Sequence, residues 1–122
     1  MPPLSVLVVD DDVAFRRTAT ELLTGLGYHV VAQAADRDEA LAACARTRPA
    51  AALVDVNLPG GDGFAVAREL GARVPPPRVL LTSTDAFAAT RGAIADARAT
   101  GFVPKPDLAV TDLTRYLGPP SG

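Results

Sequence analysis

Three apolar runs stop at acids or a hydroxyl: Val8-Val9 at Asp10-Asp11-Asp12, Leu53-Val54 at Asp55, and Leu80-Leu81 at Thr82. A fourth, Gly101-Phe102-Val103, leads through Pro104 to Lys105. Brought together, Asp10, Asp11 and Asp55 would repel one another, and such a cluster persists when a divalent cation or a proton offsets the charge. Oxygen-only ligands suit Mg²⁺, which favours an octahedron completed by waters and phosphate, and Mn²⁺ accepts the same donors. An ammonium opposite the carboxylates can hold a phosphoryl oxygen as a point charge, and a threonine hydroxyl can donate to another. These parts suffice for in-line phosphoryl transfer, which depends on positioning and charge neutralisation. Lys105 is the sole lysine among twelve basic residues, as though that position needs a compact ammonium.

Short apolar runs alternate with helix-like stretches, which predicts βα units around one parallel sheet. The strands are read at Ser5–Val9, His29–Ala34, Ala51–Val56, Arg78–Thr82 and Gly101–Lys105. Runs without polar alternation imply strands covered on both faces. The predicted helices span Val13–Leu26, Arg37–Arg46, Gly63–Leu70, Asp85–Ala99 and Ala109–Leu117. Asp12, Asp36 and Asp62 sit where N-caps belong, and Asp12 is read as a cap rather than a ligand. The expected fold is α/β: a single doubly wound, flavodoxin-like sheet of five strands in the order 2-1-3-4-5, with five helices on both faces. In such a sheet the crevice lies beyond the carboxyl ends of the strands, which is where every chemical candidate falls. The fourth helix is rich in alanine, with Phe87 and Ile94 as its only large apolar residues, so it should form readily and dock weakly.

With 122 residues and a net charge of −2, the chain is sized for one ordinary domain and carries no basic stripe for nucleic acid. One cysteine, Cys44, and one histidine, His29, exclude an intrachain disulfide and a Cys/His zinc site, and both are read as packing residues. The apolar run Leu4–Val9 is too short to span a membrane, so a cytoplasmic chain without membrane contact is expected. The domain is read as residues 1–118, with 119–122 as a flexible tail or the start of a linker.

Four segments, VVDD at 8–11, LVDVNLPGGDGF at 53–64, LLTST at 80–84 and GFVPKP at 101–106, resemble the receiver domains of bacterial two-component response regulators, in order and over Leu4 to Leu117. The resemblance implies that Asp55 takes a phosphoryl group from a sensor histidine kinase or a histidine phosphotransfer protein. It implies Mg²⁺ held by Asp10, Asp11, Asp55 and the Asn57 backbone carbonyl, with Asp10 acting through a water and the Pro59-Gly60-Gly61 turn presenting that carbonyl. Lys105 and Thr82 would bind phosphoryl oxygens, and Phe102 would follow Thr82 as an aromatic switch. A surface of helix four, strand five and helix five would then engage a downstream target or a second copy. Asn57 and Thr84 would flank the path of the hydrolytic water, and a cis Lys105-Pro106 bond is expected. Such a chain acts once per phosphoryl group and is not a turnover enzyme.

Two other readings fit part of the pattern. Asp10-Asp11-Asp12-Val13 after an apolar strand resembles the D-x-D-x-V signature of haloacid dehalogenase phosphatases, with Asp10 as nucleophile. That reading leaves Asp55 without a task and lacks a further acid-bearing strand after Lys105. A pseudo-receiver, the same fold serving only to bind a protein, has no need of the full set Asp10, Asp11, Asp55, Thr82 and Lys105.

Overall fold

A computed structural model describes residues 2–59 and 61–121. Met1, Gly60 and Gly122 lie outside the described residues, and with them the middle of the expected Pro59–Gly61 turn and the last residue of the tail.

Five strands, β1 (Ser5–Val9), β2 (His29–Ala34), β3 (Ala51–Asp55), β4 (Arg78–Ser83) and β5 (Gly101–Pro104), pair in parallel in the order 2-1-3-4-5. Alternate side chains of each strand face opposite ways, so β1 sends Leu7 and Val9 to one core and Val6 and Val8 to the other. The first core is closed by α2 (Arg37–Thr47) and α3 (Gly63–Gly71), with Ala97, just past α4 (Arg91–Asp96), at its edge. The second is closed by α1 (Val13–Gly25) and α5 (Thr114–Leu117). Burial of continuous Val, Leu and Ala runs on both faces drives this layering, at about 25 cal/mol per Å² of apolar surface removed from water.

The caps are where the sequence put them. Asp12 accepts from the Ala14 amide, Asp36 from Glu39 and Asp62 from Ala65. The C-terminal half departs from expectation. Helix four is six residues long instead of Asp85–Ala99, because side chains capture the backbone ahead of it. The Asp85 amide donates to Ser83 Oγ, Asp85 accepts from the Phe87 amide, and Thr90 caps Ala93. The expected helix Ala109–Leu117 shortens to α5, preceded by a 3₁₀ turn over Lys105–Val110, since Asp112 turns its carboxylate onto the Thr114 amide and hydroxyl. The Lys105-Pro106 bond is trans, and the cis bond among the described residues is Val74-Pro75. Pro106 sits in the first 3₁₀ turn, where its missing N–H is no loss and its φ already suits the turn. His29 is exposed at the head of β2 rather than packed, whereas Cys44 is buried.

Two glycines admit close approaches. A Cβ on Gly63 would lie 2.6 Å from Val56 Cα and collide with the Asp55 carbonyl oxygen, so α3 starts tight against the end of β3. A Cβ on Gly101 would meet the Tyr116 ring at 2.5 Å, which lets α5 lie close on β5. The far end of the chain is tied back: the Leu4 amide donates to the Pro120 carbonyl, and Pro3 bridges to Ser121.

Candidate functional site

Each chemical candidate stands at or just past the carboxyl end of a strand, and the register makes them neighbours. Asp55 on β3 pairs with Thr82 on β4, and Thr82 with Val103 on β5, two residues before Lys105. Asp10 and Asp11 follow β1, which lies on the other side of β3. One carboxylate oxygen from each of Asp10, Asp11 and Asp55 lies within 4.8 Å of the other two. Asp10 is fully buried, Asp55 is 5% exposed and Asp11 is open to solvent, so the cluster has a closed floor and an open mouth.

The Lys105 ammonium reaches into it, 2.7 Å from Asp10 Oδ2 and 3.4 Å from Asp55 Oδ2. Although the ammonium is close to Asp10 Oδ2, it is poorly aligned, and that buried oxygen has no well-formed hydrogen bond. The other oxygens are anchored by the chain: Asp10 Oδ1 accepts from the Asp12 amide and Asp55 Oδ1 from the Asn57 amide. Burial pushes the Asp55 carboxyl above its ordinary 3.8; the Asn57 amide and Lys105 pull it down, and Asp10 pushes it further up. Burial pulls the Lys105 ammonium down, yet the carboxylates of Asp10 and Asp55 outweigh that and hold it above 10.5. Three carboxylates against one ammonium, with a buried carboxylate oxygen left without an aligned donor, form a donor set that fits a hard divalent cation.

Thr82 and Phe102 stand one layer away. The buried Thr82 hydroxyl donates to the Val103 carbonyl at 2.7 Å, facing β5 and not Asp55. Phe102 is half-buried against the core that α2 and α3 cover. Asn57 is exposed at the rim, in a crevice of about 480 Å³ that it shares with Asp11 and Asp62.

Three participants escaped the sequence reading. The Phe15 ring, in the first turn of α1, lies beneath the Lys105 ammonium at 4.2 Å, a cation–π contact. Arg16 Nη1 donates to the Asp10 backbone carbonyl at 2.6 Å. Ser83 Oγ accepts from Asn57 Nδ2 at 3.3 Å. Only Ser83 carried a signal, as the hydroxyl directly after Thr82.

Residues 6–116 match the family described as the response regulator receiver domain. The chain belongs to that family. Among curated relatives, this receiver domain is 40% identical over 105 residues to response regulator MprA of Mycobacterium sp. (strain KMS), covering 85% of this chain and 45% of that protein. It is 34% identical over 112 residues to a protein-glutamate methylesterase/protein-glutamine glutaminase of Archaeoglobus fulgidus, covering 91% of this chain and 32% of the enzyme. The chain therefore spans under half the length of these relatives. A LuxR-family two-component response regulator from Aurantimonas sp. SI85-9A1 superposes on the receiver fold with a TM-score of 0.82 at 28% identity, over 93% of this chain and 81% of that one. Among the described residues no helix is long and apolar enough to cross a membrane.

Proposed function

We propose that Asp55 is the phosphoacceptor of this receiver domain and that Asp10, Asp11, Asp55 and the Asn57 carbonyl hold Mg²⁺ beside it. The observation that carries the reading is the convergence of three carboxylates at the strand ends, two of them in contact with the sole lysine. An Asp55 carboxylate oxygen attacks the phosphorus of a phosphohistidine, and the P–N bond breaks with its electron pair left on the imidazole. Mg²⁺, when bound, supplies charge neutralisation for the phosphoryl oxygens and the acids around them. Lys105, steadied over Phe15, holds one phosphoryl oxygen, and the Asn57 amide fixes the orientation of Asp55. Thr82 exchanges the Val103 carbonyl for a phosphoryl oxygen, and Phe102 follows it inward. The surface of α4, β5 and α5 then takes a new shape for a target or a second copy. Phosphoryl groups come from a sensor histidine kinase or a histidine phosphotransfer protein, in the cytoplasm, and one group per cycle makes this a switch rather than a turnover enzyme.

Beryllofluoride with Mg²⁺ tests the reading against an inert binding module. Amide signals at residues 55–57, 82–84 and 102–105 should shift together and saturate. A protein that shows no response to the pair is a binding module that takes no phosphoryl group.

A further inference from the structure

The end of the sheet opposite Asp55 holds a feature that phosphoryl transfer leaves unused. A half-open cavity of about 920 Å³ lies where β3 and β4 begin, roughly 13 Å along β3 from Asp55 at a rise of ~3.3 Å per residue. Its volume falls within the roughly 300–1,000 Å³ of small-molecule sites, which are apolar with a few polar groups. Leu4 and Leu117 form part of its apolar lining, and Pro75-Pro76-Pro77 forms another wall. Prolines cannot continue α3 over the opening, carry no N–H to be satisfied, and have little freedom to lose when something docks.

Charge is what selects the occupant. Arg48, Arg73 and Arg78 line the cavity and no acid does. All three are exposed, and among the described residues none has a carboxylate partner; the ion pairs involve Arg37 and Lys105 alone. Arg73 has only a 3.5 Å contact with the Leu41 carbonyl. Arg48 is fixed in place as the left-handed cap of α2, with φ 46°. Guanidinium groups with no internal counter-charge beside a stiff apolar wall match a ligand that is negative at one end and apolar along its body. We propose that this cavity binds a small aliphatic carboxylate, its head on the three guanidiniums and its chain along the proline wall. The site is separate from the phosphoacceptor and does not depend on it.

The test is an amide NMR titration of the full chain with octanoate, octanol and octylammonium. Octanoate should shift signals within residues 45–50, 73–78 and 117–119 saturably, and the two other probes should bind at least tenfold more weakly. Arg48→Gln with Arg73→Gln should weaken octanoate by roughly tenfold or more while the remaining spectrum stays that of the parent. If that pair disturbs the fold, Arg73→Glu alone serves, with the same loss expected. Absence of shifts at millimolar octanoate, equal binding of all three probes, or undiminished binding by the variants would overturn the proposal. So would a concentration-dependent dimer abolished by the same substitutions, which would give the cavity to a second copy of the chain.

Discussion

Asp55 is nearly enclosed, and its raised carboxyl pKa has a consequence for the metal-free protein. A carboxyl whose pKa is higher folded than unfolded makes the native state bind more protons, so stability falls as pH rises from 3.8 through the folded value and then levels off. Asp55→Asn removes that loss and should raise the metal-free melting temperature at pH 7 by a few degrees, flattening the profile in that window. Thermal melts across pH 3–8 check this; a variant that melts below wild type at pH 7 would contradict it. Lys105 acts with the same sign in a different window, since its raised value means support that is present below pH 10.5 and lost as pH rises from there through the folded value. At this scale the placement of the candidate residues was legible, because Asp10, Asp55, Thr82 and Lys105 are polar residues set at the ends of apolar runs. Phe15 and Arg16 were not legible, because their roles depend on how α1 lies across the strand ends.

The proposed switch belongs to the scale of elements. No residue of α4 is buried, Phe87 ahead of it is 92% exposed, and Thr82 reaches β5 through one hydrogen bond to Val103. A short helix with little apolar anchorage opens at low cost and is easily biased. Hydrogen exchange in residues 83–103 should therefore change when beryllofluoride and Mg²⁺ bind, and an unchanged profile there would contradict the coupling. The join of β3 to α3 behaves oppositely. Gly63→Ala forces a Cβ into the Asp55 carbonyl and Val56, and should cost about 3 kcal/mol in urea unfolding. A Gly63→Ala protein of unchanged stability would show that this approach is looser than described. The positions of the five sheet strands were readable to within a residue, most directly for β1, β3 and β4, where near-continuous burial leaves a continuous apolar run. Helices four and five were not: alanine content favours helix by propensity, but Asp85, Thr90 and Asp112 spend their side chains on nearby amides and break it.

Across the whole molecule the sheet separates two ends, an acidic crevice proposed for phosphoryl transfer and an arginine-lined cavity at the heads of the strands. Like charges held at the first end predict that metal stabilises the entire domain. Mg²⁺ at ~100 times its dissociation constant should add about 2.7 kcal/mol, and Asp11→Asn should lose most of that response. Equal melting temperatures with and without Mg²⁺ would count against the metal site. The central claim, that Asp55 accepts the phosphoryl group, is tested most directly by trapping the acyl phosphate. After incubation with acetyl phosphate and Mg²⁺, borohydride reduces an aspartyl phosphate to homoserine, and peptide mass spectrometry locates it. The account predicts homoserine at position 55, dependent on Mg²⁺, with Asp10 and Asp11 unchanged; homoserine at position 10, or at none of the three, would contradict it.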